Sequence, residues 1–131
     1  MELNVRNLRD EDHKTISKWW KQWKWPIIPK ENLPPTGLMV EKNGTPIVAG
    51  FIYETNSDGV LFEWVVSNPK YREKDRKDAI EKLLIDAEDT IKAMGYKHIF
   101  SIGRNKHLIN THKKLGWFVD DKPSHEILKN L

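Results

Sequence analysis

The feature that most constrains the fold is a change in hydrophobic period near residue 70. Before it lie three short strand-like segments separated by turn residues, at 38–41, 46–55 and 60–66. Asn43-Gly44 predicts a type I′ hairpin between the first two, and residues 56–59 form the second turn. These strands therefore form an antiparallel meander. After it, apolar residues recur at helical spacing over 76–94, ahead of Gly95.

The remaining segments complete a mixed α/β pattern. Residues 3–8 alternate like a half-buried strand, and Asp10 is placed to cap a helix running to about Trp25, where Pro26 stops it. Residues 26–37 hold four prolines and predict an irregular connection. The long helix is followed by a predicted strand, a short helix and one or two closing strands, at 96–102, 105–115 and from 117 onward.

This order of elements predicts an α+β (mixed α/β) fold. We expect a central mixed, largely antiparallel sheet flanked by helices. The length of 131 residues favours a single domain over 1–131.

Composition excludes several classes of site and location. The chain has no cysteine, which rules out disulfides, thiolate zinc sites and a cysteine nucleophile. His107 and His112 are five residues apart, which does not suit a helical two-histidine metal site, so we expect no metal. The longest apolar run, 47–53, is too short to cross a bilayer, and no signal-peptide pattern is present. We therefore expect a cytoplasmic protein with no membrane partner.

The stretch that carries the strongest chemical signal joins the meander to the long helix. Between Lys70 and Asp78 there are five basic and three acidic side chains. A helix N-terminus beside such a loop favours a phosphate group, because unpaired N–H groups and the helix dipole attract anions. The alternative is an ordinary solvated helix start with mixed charges.

Two motifs in this order carry a family resemblance. The first is Val65-Val66-Ser67-Asn68-Pro69-Lys70-Tyr71-Arg72, before the long helix. The second is Asn105, followed seven residues later by His112 and then by Leu115-Gly116-Trp117. Together with the element order, they resemble the GNAT superfamily of acetyl-CoA-dependent N-acetyltransferases over nearly the full chain. In that family the motifs contain Arg/Gln-x-x-Gly-x-Gly/Ala at the helix start, and Asn, Tyr and Leu-Gly-Phe near the C-terminus.

The resemblance implies acetyl-CoA as co-substrate and a set of residues that would hold it: Val65, Val66, Arg72, Lys74, Asp75, Arg76, Lys77 and Asn105. Two of them depart from the family pattern, because Asp75 and Lys77 stand at the two small-residue positions. Glycine lets the backbone approach a phosphate closely, and Asp75 adds a carboxylate there. A flanking arginine or lysine would have to neutralise it.

Two side chains are the candidate catalytic groups. His112 stands where the family has the tyrosine that protonates the departing thiolate, and histidine can serve as a general acid. Alternatively, His112 simply packs on a helix face with Leu108. Glu63 interrupts an apolar strand and is the candidate general base, since desolvation would raise its pKa. Its alternative is a solvent-facing strand position; Glu54 is a weaker second base.

Residues 18–25 interleave four tryptophans with three lysines. Such a stretch could stack the bases of a single-stranded nucleic acid, but its helical spacing favours packing of most rings against the sheet. The net charge of +3 is also too small to favour nucleic acid as a partner. By resemblance this region borders the acceptor side, where an exposed tryptophan would hold a cationic amine.

The sequence thus predicts an N-acetyltransferase that transfers an acetyl group from acetyl-CoA to a primary amine by direct attack. The acceptor amine belongs to a small molecule or a protein, and a homodimer is compatible with the sequence. The alternative is a GNAT-like domain with weakened catalysis that acts as a binding or regulatory module. Asp75, Lys77 and His112 are the departures that favour this alternative.

Overall fold

The computed structural model describes residues 2–131 and shows one five-stranded sheet with three α-helices. The strands are β1 (Asn4–Asn7), β2 (Thr36–Lys42), β3 (Thr45–Tyr53), β4 (Gly59–Ser67) and β5 (His98–Phe100). The helices are α1 (Asp12–Gln22), α2 (Arg76–Ala93) and α3 (Lys106–Lys114). The strands follow one another across the sheet in chain order. Each neighbouring pair is antiparallel except β4 and β5, which are parallel because α2 connects them. The predicted fold class is confirmed.

The meander forms where the turn residues predicted it. Asn43 and Gly44 have φ angles of 53° and 76°, the left-handed conformation that a type I′ turn requires at both central positions. β3 and β4 then pair in antiparallel register, from Val48 opposite Ser67 to Tyr53 opposite Leu61. Residues 26–37 are irregular up to the start of β2 apart from a short 3₁₀ turn, Lys30–Asn32, as the prolines predicted.

The ends of two elements differ from the prediction. Asp10 does not cap α1; the Asp12 carboxylate instead accepts the Arg9 N–H at 2.7 Å, and the helix begins at Asp12. The helix also ends before Trp25, because Lys24 adopts a left-handed φ of 63° that an α-helix cannot continue. β5 has three residues rather than the seven predicted over 96–102.

The predicted closing strands are wrong for the described chain. No residue from 117 to 131 is in a strand, and the side chains of Phe118 and Ile127 are both 92% exposed. A strand is stabilised by pairing with a neighbour along its length, and the three-residue β5 offers a short edge. The segment from Trp117 onward therefore forms no strand.

The sheet is packed on both faces. α2 covers one face, where its Leu83, Leu84, Ala87 and Ile91 meet strand residues such as Val48 and Phe62. α1 covers the other face through Ile16, Trp19 and Trp20, which meet Met39, Ala49, Phe51 and Val66. The core interpretation of residues 18–25 is thus confirmed for Trp19 and Trp20, whereas Trp25 is 41% exposed.

Within residues 2–131, none of the helices combines the length and the apolar character that crossing a bilayer requires.

Candidate functional site

β4 and β5 form a fork, because β5 pairs only with Gly59, Val60 and Leu61 at the beginning of β4. Beyond Leu61, β4 continues to Ser67 with no strand partner on that side among the described residues. Two hydrogen bonds close the base of the fork: Ser101 Oγ donates to Phe62 O at 2.6 Å, and the Ile102 N–H donates to Glu63 Oε1 at 2.8 Å.

Glu63 therefore lies at the point where the two strands separate. It is half-buried, and burial raises the pKa of its carboxyl to about 7 despite the Ile102 N–H, which favours the charged form. The nearby Glu126 carboxylate contributes to the same upward shift, and Arg104 opposes it. A carboxyl group with a pKa near 7 can accept a proton at neutral pH and release it again. Glu63 is half-buried and so does not occupy the solvent-facing strand position that the alternative predicted.

A bulge in β4 lies immediately after Glu63. Ala49 pairs with Val66 and Phe51 pairs with Glu63, so Trp64 and Val65 together lie opposite the single residue Gly50. Trp64 has a φ of 57°, an uncommon conformation for a bulky side chain. Such bulges interrupt the ladder and redirect backbone N–H groups, and they are frequent beside active sites.

The loop after β4 holds Asp75 in a specific contact. Its carboxylate accepts hydrogen bonds from Lys42 Nζ at 2.7 Å and from the Tyr71 hydroxyl at 2.6 Å. These bonds lower the pKa of Asp75, so it stays ionised, and Lys42 offsets its charge. The prediction that a flanking arginine or lysine neutralises Asp75 is wrong about which residue does so. The partner is Lys42, at the end of β2.

The same contact leaves the start of α2 open. Asp75 precedes the helix, but its side chain caps none of the N–H groups of the first turn. Arg72, Lys74 and Lys77 are exposed and form no ion pair with any described residue. Free N–H groups and unpaired cations at the N-terminus of an 18-residue helix are suited to an anionic group.

Arg76 is turned away from that loop. Its Nη2 donates to Ser67 Oγ at 2.7 Å, and its guanidinium lies 5.7 Å from the centre of the Trp23 ring. Trp23 Nε1 in turn donates to Ser67 O at 2.7 Å. Trp23 and Arg76 therefore cover the end of β4, a placement that no local sequence pattern signalled.

His112 is buried on α3, with 6% of its surface exposed. Its Nδ1 is 2.8 Å from Leu108 O; because a carbonyl oxygen only accepts, Nδ1 carries the proton. Nε2 has no hydrogen-bond partner among the described residues. Burial lowers the pKa of His112, and its ring packs edge-on against Trp117 at 4.8 Å. His112 thus both packs, as the alternative predicted, and keeps one polar atom unpaired.

Two other residues that the sequence predicted for the site are Asn105, which caps a helix, and Glu54, which lies away from the fork. The Asn105 side chain caps α3 by accepting the N–H groups of His107 and Leu108, at 2.9 and 3.2 Å. Glu54 follows the end of β3 and accepts a hydrogen bond from the Tyr96 hydroxyl at 2.9 Å. Since β3 and β4 are antiparallel, this position is at the opposite end of β4 from Ser67, away from the bulge and the α2 N-terminus.

A cavity of about 480 Å³ lies on the α1 side of the sheet, under residues 30–35. Phe51 forms part of its wall, and Glu63 lies directly opposite Phe51 in the neighbouring strand. The family resemblance assigns residues 18–25 and the adjoining proline-rich connection to the acceptor side, but no local sequence pattern indicates a cavity. Lys42 was missed for a similar reason, because its partner is 33 residues away.

No protein-family model and no curated protein matches this sequence. The structure, in contrast, is similar to solved acetyltransferases. A ribosomal-protein-alanine N-acetyltransferase from Brucella melitensis superposes with a TM-score of 0.72 at 10% identity, over 99% of this chain and 100% of the other. An aminoglycoside acetyltransferase from an uncultured soil metagenomic sample gives 0.69 at 9% identity, over 98% and 97%.

An N-acetylglutamate synthase from Neisseria gonorrhoeae, solved with coenzyme A and N-acetyl-glutamate, gives a TM-score of 0.67 at 13% identity. The match covers 86% of this chain but only 28% of that enzyme, so the similarity concerns one part of a longer protein. All three similarities concern the fold, since each identity is 13% or lower. The chain therefore has the fold of the GNAT acetyltransferases.

Proposed function

We propose that this protein is an N-acetyltransferase that transfers the acetyl group of acetyl-CoA to a primary amine by direct attack. The observation that carries the proposal is Glu63, a half-buried carboxyl with a pKa of about 7 at the fork between β4 and β5. A structural surface glutamate would not need such a position, whereas a base that deprotonates an ammonium group at neutral pH does. The shared acetyltransferase fold supports the same reaction class.

The residues at the start of α2 fit the diphosphate of the coenzyme. Arg72, Lys74 and Lys77 supply unpaired positive charge, and the free N–H groups of the first turn supply donors. Asp75 would repel a diphosphate if it were unpaired, but Lys42 and Tyr71 already bind its carboxylate. The carboxylate is thus neutralised rather than directed at the ligand. The departure from glycine at this position is therefore compatible with coenzyme binding.

Acetyl-CoA supplies an acetyl group activated as a thioester. In the proposed reaction, Glu63 removes a proton from the acceptor ammonium, directly or through a water molecule. The free amine forms a C–N bond with the acetyl carbon, the C–S bond breaks, the new amide nitrogen loses its extra proton to water, and the thiolate takes up a proton. A backbone N–H at Val65 or Val66, beside the bulge, polarises the thioester carbonyl. Most of the rate in such a transfer comes from holding both reactants together.

His112 is the proposed source of the thiolate's proton, and its hydrogen bonding restricts when it can act. Because Nδ1–H donates to Leu108 O, the neutral ring has a bare Nε2, and only the charged imidazolium carries a proton there. Burial lowers the pKa of His112, so the charged form grows as pH falls. An acid role for His112 therefore contributes more at pH 6 than at pH 8.

Replacing His112 with Phe should reduce kcat more than it weakens acetyl-CoA binding. The ratio of wild-type to variant kcat should increase as the pH is lowered from 8 to 6, because the imidazolium is the acting species. A general acid contributes about 100-fold or more when fully protonated. Steady-state kinetics of thiol release across this range measure the ratio. A variant with the wild-type rate at every pH would remove His112 from the mechanism.

Coenzyme binding can be tested before any acceptor is known. A ligand that binds only the folded state at 100 times its Kd raises stability by about 2.7 kcal/mol. We expect acetyl-CoA and CoA to raise Tm by several degrees in thermal shift, and Arg72→Ala to diminish that rise. Arg104→Ala is the matched control, because Arg104 pairs with Glu126 outside the α2 loop. No shift at millimolar coenzyme would contradict the proposal; a shift without transfer to any amine would favour a binding module.

A further inference from the structure

The ladder of hydrogen bonds between β4 and β5 ends at the fork in an exchange of partners. The two strands pair in parallel register along three residues of each. At the start of this ladder, the His98 N–H donates to Asp58 O at 3.2 Å. Bonds of this kind repeat every two residues along a parallel ladder. Two repeats further on, the same register would bring the Ile102 N–H to Phe62 O.

Two side chains replace that expected bond. Ser101 Oγ donates to Phe62 O at 2.6 Å, and the Ile102 N–H donates instead to Glu63 Oε1 at 2.8 Å. Phe62 is only 1% exposed, so its carbonyl needs a partner within the protein once the Ile102 N–H is directed elsewhere. The Ser101 hydroxyl is that partner. Among residues 2–131, the Ile102 N–H is the one hydrogen-bond donor to the Glu63 carboxylate.

We propose that Ser101 is a positioning residue for Glu63, because its hydroxyl occupies Phe62 O and thereby releases the Ile102 N–H to hold the carboxylate. This inference rests on the proposed role of Glu63 as the general base. Without the hydroxyl, the unpaired Phe62 O takes back the Ile102 N–H, and the ladder extends by one step. The carboxylate then loses the bond that fixes its direction and favours its charged form.

Glu63 faces three other ionisable groups, and none of them takes part in this exchange. Arg104 and Glu126 lie beyond the fork, where they pair with each other at 2.7 Å. Tyr53 lies on β3, diagonally opposite Glu63 on the same face of the sheet. A substitution at Ser101 leaves all three in place. A change in the titration of Glu63 in such a variant therefore reports the lost N–H bond.

Carbon-13 NMR of the Glu63 carboxyl group, titrated from pH 4 to 10 without any ligand, tests this exchange. Ser101→Ala should raise the pKa of Glu63 by about one pH unit, the effect of losing one hydrogen bond to a charged group. In acetyl transfer, the pH at which the rate rises should increase by the same amount. The rate at pH 7 should then fall about fivefold, because a smaller fraction of Glu63 is ionised. At pH 9, where Glu63 is ionised in both proteins, the two rates should be similar.

Two further variants separate positioning from a purely structural role. Ser101→Thr keeps the hydroxyl, so its Glu63 should titrate as in the wild type. Thr55→Val is the matched control, because the Thr55 hydroxyl donates to Gly59 O near the other end of β4 and so makes the same kind of bond away from Glu63. This variant should lower Tm, as Ser101→Ala does, without changing the titration of Glu63.

The titration of Glu63 does not depend on catalysis, so this inference and the proposed function can fail separately. An unchanged titration in Ser101→Ala, or a change that Ser101→Thr or Thr55→Val shares, would overturn the role of Ser101 and leave the proposed acetyl transfer unaffected. A raised pKa in Ser101→Ala alone, in a protein that transfers no acetyl group to any amine, would support the exchange of partners and contradict the proposed function.

Discussion

Replacement of Glu63 by Gln should lower kcat/KM by about 10²- to 10⁴-fold, the usual contribution of a general base. The amide keeps the shape of the carboxyl and can still accept the Ile102 N–H, but it cannot take a proton. The wild-type rate should rise with pH through about 7, where Glu63 ionises, and the variant should lose that inflection. Initial rates between pH 5.5 and 9 measure both effects.

The same variant should also be more stable than the wild type at pH 8. The folded-state pKa of Glu63, about 7, lies above its ordinary value of 4.5. Ionising this buried group therefore costs stability as pH rises from about 4.5 to about 7, and the neutral amide avoids that cost. The difference in Tm should vanish near pH 4. Glu54→Gln is the matched control, because Glu54 lies at the other end of β4; equal rate losses in both variants would contradict the role of Glu63.

The second large effect concerns stability alone. Arg6 holds the buried Asp12 with two hydrogen bonds, and its Nε donates to Glu41 at 3.0 Å. Burial opposes ionisation of Asp12, but the bonds from Arg6 and from the Arg9 N–H outweigh it and lower the pKa of Asp12. Arg6→Met should leave this charge uncompensated and lower the free energy of unfolding by about 3 kcal/mol. At this chain length Tm should fall by about 10 °C.

Lys30→Met provides the comparison for the Arg6 variant. It removes an ion pair with Asp10 whose side chains are 52% and 89% exposed, and such pairs contribute less than about 1 kcal/mol. Urea unfolding at pH 7 measures both variants. Equal losses in the two would mean that the Arg6–Asp12 pair is not the anchor between β1 and α1. The wild-type advantage should also decline below about pH 4, as Asp12 becomes protonated.

Elements whose signals lie within a few residues were predictable from the sequence. Asn43-Gly44 determines its hairpin through the conformations of two adjacent residues, and Asn105 determines the start of α3 through N–H groups two and three positions later. The stripe over α2 likewise predicted a buried helix face. Each of these needs no knowledge of the distant chain.

Features that depend on distant packing were not predictable. The contact between Lys42 and Asp75 joins two segments that only the finished sheet brings together. The sequence led us to expect a raised pKa for Glu63, but not the fork at which Glu63 is buried, because the position of that fork is decided by how far β5 extends. The closing strands predicted from residue 117 onward are absent for the same reason, because a strand requires an edge with which it can pair.

The contact among Lys42, Tyr71 and Asp75 also determines how this loop can change in evolution. Replacing Asp75 with glycine would deprive Lys42 and Tyr71 of their shared acceptor. The effects of substitutions at these three positions therefore depend on one another. A variant that replaces Asp75 would have to change Lys42 and Tyr71 as well.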